Sequence, residues 1–291
     1  MDNYSKNEFI SLFTDYIHNK LNVCYKYEYE YKNYKKNEDR NASKNIFNDV
    51  LKSKAEKYYI FYNELIEWNR KINLTSIIDP IDFIEKHVID SLMLLKLLKK
   101  NYNININKDF NFKDDINIID CKDNETEDNK IKLMDIGSGG GFPGIMLKIF
   151  NPEIDLISVE SIQKKCNFQK YIAGKFNFKN FDCINRNIYE LKELPLVNAI
   201  TTRAAFNLKE LIKLIDKIKL NNANKNLPVD LFFFLSKYSE ALTIEKQEFN
   251  DKILYIDKFL MYKNNYNNYN NYKDTNNEFK LIANFKIKYI N

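Results

Sequence analysis

Five of the six glycines in this chain lie within eight residues, in the run Asp135-Ile136-Gly137-Ser138-Gly139-Gly140-Gly141-Phe142-Pro143-Gly144. In so glycine-poor a chain, the cluster marks a place where the backbone needs positive φ or unusually close approach, both of which glycine permits. The run follows a short apolar segment, Ile131 to Ile136, that reads as a strand. It leads into an apolar segment, Gly144 to Phe150, that reads as a helix. A strand that turns through glycines into a helix is where a nucleotide lies against the carboxyl end of a parallel sheet.

The spacing leaves the nucleotide open. Gly139-x-Gly141-x-x-Gly144 satisfies a dinucleotide fingerprint, and Glu160 stands at the end of the next predicted strand, where a ribose-binding acid is expected for several nucleotides. Two local features favour S-adenosylmethionine. Asp135 ahead of the run puts a carboxylate near the ligand's amino acid group or a loop amide, and Pro143 opens the helix, where pyrophosphate binding uses free amides. A nicotinamide-dependent Rossmann oxidoreductase remains the rival enzyme, and a noncatalytic RNA-binding protein that kept the fold is the rival of another class.

The rest of the chain supplies a frame for that loop. Ala55 to Lys71 and Ile81 to Leu98 carry apolar residues at helical spacing and read as two amphipathic helices joined by a loop around Asp79-Pro80. Downstream of residue 131, predicted strands (Ile154 to Val159, Phe181 to Ile184, Val197 to Thr201, Leu231 to Leu235) alternate with predicted helices (Lys164 to Gly174, ending at a glycine cap, and Leu208 to Ile218). Short, continuously apolar strands alternating with helices specify a mostly parallel sheet. Ile253 to Phe259 and Phe279 to Ile290 have no helix between them and fit an antiparallel edge pair. The expected organisation is a poorly defined N-terminal extension over 1–54, a helical cap over 55–100, a polar insertion over 101–130 and a catalytic domain over 131–291. Residues 24–48 also read as a surface insertion, and 262–277 as a low-complexity loop.

Composition excludes several classes. No apolar run reaches the ~18–20 residues that span a bilayer, so no membrane role is expected. The four cysteines (Cys24, Cys121, Cys166, Cys183) lack CxxC spacing and there are two histidines, His18 and His87, so neither a metal cluster nor a disulfide framework is expected. The N-terminus shows no secretory signal. A formal net charge of +5 permits an anionic partner without demanding one. With 41 of 45 basic residues being lysine, bulk lysine says little, and the four arginines (Arg40, Arg70, Arg186, Arg203) say more.

Four blocks carry a resemblance. Glu64-Leu65-Ile66-Glu67-Trp68-Asn69-Arg70-Lys71-Ile72-Asn73-Leu74-Thr75, Lys86-His87-Val88-Ile89-Asp90-Ser91-Leu92, Asp135 to Gly144, and Thr202-Arg203-Ala204 occur in the order found in the bacterial 16S ribosomal RNA guanine-N7 methyltransferase family, the methyltransferase G or glucose-inhibited division B family. The chain resembles that family over residues 55–260, interrupted by the 101–130 insertion. The resemblance implies a class I S-adenosylmethionine-dependent methyltransferase fold, Rossmann-like, with a seven-stranded sheet, an antiparallel edge and an N-terminal helical cap. It implies S-adenosylmethionine as donor and a guanine in the 530 loop of small-subunit rRNA as acceptor, with rRNA or a 30S-type particle as partner and a monomeric enzyme. Carried over by position, Asp135, Gly137, Gly139, Gly141, Phe142, Glu160, Asn187, Ile188 and Arg203 would bind the cofactor. Glu160-Ser161 stands where the family commonly has Asp-Ser, which preserves hydroxyl binding. Asn187-Ile188 replaces the usual acid after the third strand, a departure at the position from which the resemblance implies a side-chain contact to adenine. The compartment implied is an organelle if the source is eukaryotic, and the cytoplasm otherwise.

Guanine N7 keeps its lone pair in the neutral base, so no catalytic acid or base is required and Arg203 would serve in positioning. Thr201-Thr202-Arg203-Ala204 ends the fourth strand where exocyclic amine methylases carry Asn-Pro-Pro-Tyr, and no cysteine stands where C5 methylation needs a thiolate. Cys166 and Cys183 read as buried and structural, and Trp68 as core. Lys71, His87, Lys164 and Lys165 are candidate RNA contacts. His87 reads equally well as packing within its helix, and the two lysines oppose the dipole at a helix start.

Overall fold

A computed structural model describes residues 4–20, 23–24, 37–102, 111–112, 131–203, 210, 213–214, 230–235, 246–249, 252–263 and 279–289. Three helices come first: α1 (Lys6–Lys20), α2 (Asn37–Asn69) and α3 (80–102). Helix α1 starts at a capping box. The Glu8 carboxylate accepts the Ser5 amide at 2.8 Å, and Ser5 Oγ accepts the Glu8 amide at 3.3 Å, so two otherwise orphaned donors are satisfied. Phe9, Phe13, Tyr16 and Ile17 then line one buried face. Phe13 packs on Tyr58 at 5.1 Å between ring centroids and Phe9 on Tyr59 at 5.4 Å. Two ordered helical segments therefore fall inside 1–54, where a poorly defined extension was expected. The spacing of the four apolar residues in α1 is the signal for the first of them.

Helix α3 begins where a loop was expected. Asp79 caps it by accepting the Asp82 amide at 2.9 Å, and Pro80 occupies the first turn, where its missing N–H costs nothing. The helix comprises Pro80–Phe83, a π-helical stretch Ile84–Ile89, and Asp90–Tyr102. A small antiparallel pair joins β1 (Val23–Cys24) to β2 (Asn111–Phe112), which ties together parts of the two expected insertions. The rest of 101–130, the helix expected over Leu208 to Ile218 apart from Glu210, Lys213 and Leu214, and all but the first two residues of the 262–277 loop lie outside the described residues.

The main sheet contains β3 (Lys132–Ile136), β4 (Asp155–Val159), β5 (Phe181–Ile184), β6 (Ala199–Arg203), β7 (Asp230–Leu235), β8 (Lys246–Phe249), β9 (Lys252–Lys263) and β10 (Phe279–Tyr289), in spatial order β5-β4-β3-β6-β7-β10-β9-β8. The first five run parallel and the last three pair antiparallel at one edge. This is the class I arrangement, with eight strands in place of the seven expected. The extra strand, β8, reads Lys-Gln-Glu-Phe, and such a polar edge segment has no apolar run to announce it. Helices α4 (Gly144–Phe150) and α5 (Gln163–Lys175) follow β3 and β4.

Helix α5 corrects a second expectation. Gly174 lies inside it, and the left-handed residue that ends it is Asn177 at φ 50°. The Phe178 amide reaches back to Ala173 O at 2.9 Å and the Asn177 amide to Gly174 O at 3.2 Å, which is a Schellman closure built on asparagine. On the other side, α2 is pinned to the sheet layer through α4: Tyr58 Oη donates to Met146 O at 2.7 Å. One continuous apolar core runs from Phe9 and Phe61 through Met146 and Phe168 to Phe232.

The chain winds outward from β3 to β5, then returns to β6 on the opposite side of β3. Ligands of such sheets sit at the carboxyl ends of the strands flanking that reversal. Here those ends are Ile136, which enters the glycine run, and Arg203.

Candidate active site

The glycine run is a compact loop held from three sides. Gly137, Gly139 and Gly141 have φ of 70°, 54° and 94°. The Gly137 amide donates to Val159 O at 2.9 Å, and the Phe142 amide to Ser138 O at 2.9 Å. From beneath, Asp135 Oδ2 accepts the Gly144 amide at 2.8 Å. A side chain at Gly144 would place its Cβ 2.8 Å from that oxygen and 2.9 Å from Leu156 Cδ1, so this position requires glycine for close approach. Asp135 is fully buried, and burial pushes its carboxyl up to about 7 against the opposing pull of the Gly144 amide and the Arg203 guanidinium. Oδ2 takes the loop amide, and Oδ1 is buried with no protein partner. A carboxylate seated on the first amide of α4 occupies what a pyrophosphate would use.

The outer side of the loop is open. A Cβ at Gly139 would meet nothing nearer than Gly137 O at 4.0 Å, although its positive φ makes any side chain there strained. Glu160 faces it: Oε2 accepts the Gly139 amide and Oε1 the Ile162 amide, each at 2.8 Å. Both oxygens retain a lone pair for further donors. Gln169 is a fastener that the sequence patterns did not reveal. From α5 its Nε2 donates to Ser138 Oγ at 2.7 Å and Gly139 O at 2.8 Å, while its buried Oε1 has no protein partner. Next to the end of β5, Asn187 caps a short 3₁₀ turn by accepting the Tyr189 amide at 3.0 Å, and Ile188 is buried.

Arg203 closes the other side. Its Nη2 donates to Lys86 O at 2.6 Å and lies 3.4 Å from His87 Nδ1 and 4.0 Å from Asp90 Oδ2, with the Phe234 ring 6.0 Å away. Its Nη1 is buried and has no protein partner. His87 is 6% exposed, with its ring 3.7 Å from that of Phe142 and 5° from parallel to it. The imidazole is therefore packed on the loop residue Phe142 and not only within its own helix. Lys71 and Lys164 are exposed and Lys165 half-exposed. Cys166 and Cys183 are buried as expected, with Sγ of Cys166 3.3 Å from Cys183 O, and burial holds the Cys183 thiol far above its ordinary range. Trp68 is half-buried against Phe168 and Tyr171. Among the described residues no group of acids, histidines and cysteines is arranged to hold a metal ion, and no helix is long and apolar enough to cross a membrane.

The family model for rRNA small subunit methyltransferase G (GidB) matches residues 52–110 and 111–225. The chain belongs to this family. All four blocks, from Glu64 to Ala204, fall inside the methyltransferase G match. Relatives named ribosomal RNA small subunit methyltransferase G include one from Desulforamulus reducens, 34% identical over 146 residues, covering 50% of this chain and 50% of that one. One from Mycoplasma capricolum is 35% identical over 176 residues, 60% of this chain and 63% of its own. Another, from Mycoplasma mycoides, is 37% identical over 146 residues, 50% of this chain and 84% of its own. The match therefore spans from half to most of the length of these methyltransferase G relatives. Among solved structures, a precorrin-6y C5,15-methyltransferase from Geobacter metallireducens superposes with a TM-score of 0.35 at 12% identity, over 54% of this chain and 80% of that one.

Proposed function

We propose that this chain transfers the methyl group of S-adenosylmethionine to N7 of a guanine in the 530 loop of small-subunit rRNA, within rRNA or a 30S-type particle. The observation that carries the proposal is the open side of the glycine loop at Gly139, faced by Glu160, in a chain of the methyltransferase G family. Gly137, Gly139, Gly141 and the backbone at Phe142 would hold the cofactor along the loop. Glu160 would take the ribose hydroxyls with its remaining lone pairs. Ile188 would offer apolar surface, and Asn187 its backbone, since its side chain is engaged by Tyr189. Asp135 would act through the Gly144 amide, and Arg203 through its unpartnered Nη1.

When bound, the cofactor supplies an electrophilic methyl group on a sulfonium. Because N7 of neutral guanine already carries a lone pair, the chain's residues have no proton to remove, and orientation is their whole task. Holding two reactants in line supplies up to ~7–11 kcal/mol in favourable intramolecular analogies. Lys71, Lys164 and Lys165 would contact phosphate, so RNA affinity should fall with added salt.

The test begins with titration calorimetry, in which S-adenosylmethionine should bind and NAD should not; the reverse removes the methyltransferase reading. Tritiated methyl transfer to small-subunit particles from cells lacking the activity follows, with borohydride and aniline cleavage at N7-methylguanine. Label without chain scission places the methyl group on another atom. Arg203→Ala should lose methyl transfer far more than it loses folding stability.

A further inference from the structure

Three of the four sequence blocks meet on the imidazole supplied by the remaining one. Thr75, at the end of the first block, has its Oγ1 2.9 Å from His87 Nε2. The third block supplies Phe142, whose ring lies parallel on the imidazole, and the fourth supplies Arg203, whose Nη2 is 3.4 Å from Nδ1. Thr75 is itself fixed: Asn69 Oδ1 accepts the amides of Leu74 and Thr75, and Asn69 Nδ2 donates to Thr75 O.

The donor inventory sets the tautomer. A guanidinium only donates, so the nitrogen facing Arg203 must present its lone pair, which leaves the proton on Nε2 for donation to Thr75 Oγ1. Thr75 Oγ1 also accepts the Ile77 amide at 3.0 Å, within the capacity of a hydroxyl oxygen.

We propose that His87 is a positioning residue with two separable jobs: its ring face fixes the Phe142 end of the glycine loop, and its Nδ1 edge fixes the Arg203 guanidinium at the end of β6. This rests on the methyltransferase reading for its effect on turnover, but not for the geometry. The contacts of His87 that reach the site run through Phe142 and Arg203. The helical segment is thereby coupled to both halves of the site through one ring.

Two variants separate the jobs. His87→Phe keeps a flat ring for Phe142 and removes the Nδ1 acceptor. His87→Asn removes the ring and keeps an amide oxygen where Nδ1 accepts. With S-adenosylhomocysteine as the calorimetric probe, His87→Phe should keep its affinity within about threefold, since Arg203 stays bonded to Lys86 O, and should lose about tenfold or more in kcat, since the guanidinium loses its second anchor. His87→Asn should recover most of that kcat while its affinity weakens by about tenfold. If the two variants lose affinity and kcat together, in proportion to a fall in Tm, the role is structural and the proposal is overturned. In ligand-free protein, the 15N resonance of His87 Nδ1 should report an unprotonated nitrogen that shifts on Arg203→Ala and on Phe142→Leu. A protonated Nδ1, or no shift in either variant, overturns the geometry. If the unaltered protein binds S-adenosylhomocysteine but methylates no RNA, the proposed acceptor fails while the calorimetric and NMR tests of His87 still decide.

Discussion

Replacing Asp135 by asparagine should flatten the pH dependence of stability. Asp135 lies fully buried beneath the glycine loop with its carboxyl pushed up to about 7, whereas an unstructured aspartate titrates at roughly 3.9. Because the folded value is the higher one, the native state binds this proton more tightly than the unfolded chain. The stability so contributed is complete below about pH 4 and is lost as pH rises through about 7. Across the whole window the loss is ~4 kcal/mol, and between pH 5 and pH 8 it is ~3 kcal/mol. Asparagine keeps an oxygen for the Gly144 amide and has no charge to desolvate. Urea denaturation of both proteins at the two pH values should therefore show the variant gaining ~3 kcal/mol on the unaltered chain at the higher pH. Any fixed cost of burying the new amide group appears equally at both pH values and cancels. Parallel pH profiles would refute the reasoning, because they would mean that the carboxyl under the loop titrates as it does in water.

Gly144→Ala forces a methyl group to 2.8 Å from Asp135 Oδ2 and should cost ~1–3 kcal/mol, read as a drop in Tm without ligand; an unchanged Tm would show that the loop rises freely off the strand. Gly139→Val should instead leave much of the fold intact and abolish S-adenosylmethionine binding in calorimetry, since a β-branched side chain both strains the positive φ and fills the open side. Retained affinity would put the ligand elsewhere. Tyr58→Phe removes the buried hydrogen bond to Met146 O and should cost ~1–2 kcal/mol in denaturant titration, and no loss would mean that α2 is held to α4 by apolar contact alone.

Much of this protein was legible in its sequence because local physics is written there. Short, mainly apolar runs marked β3 to β7, and the glycine cluster marked the loop because positive φ excludes most other residues. The bounds of α4 and β5 follow from the same patterns. What stayed hidden lacked such a pattern. Strand β8 is a polar edge segment whose only cue is its partner β9, and the end of α5 turns on Asn177, an asparagine doing what glycine usually does. Gln169 and His87 were beyond any local rule. Gln169 sits 31 residues from the serine it binds, and the contacts of His87 to Thr75, Phe142 and Arg203 reach from 12 to 116 residues along the chain. Residue types and spacing decided which groups were available and where the backbone could bend. Only the packing of helix α3 against the reversal in the sheet decided that one imidazole would be shared between the loop and the arginine, because hydrogen bonds and ring stacking act at contact distance and contact distance is set by the fold.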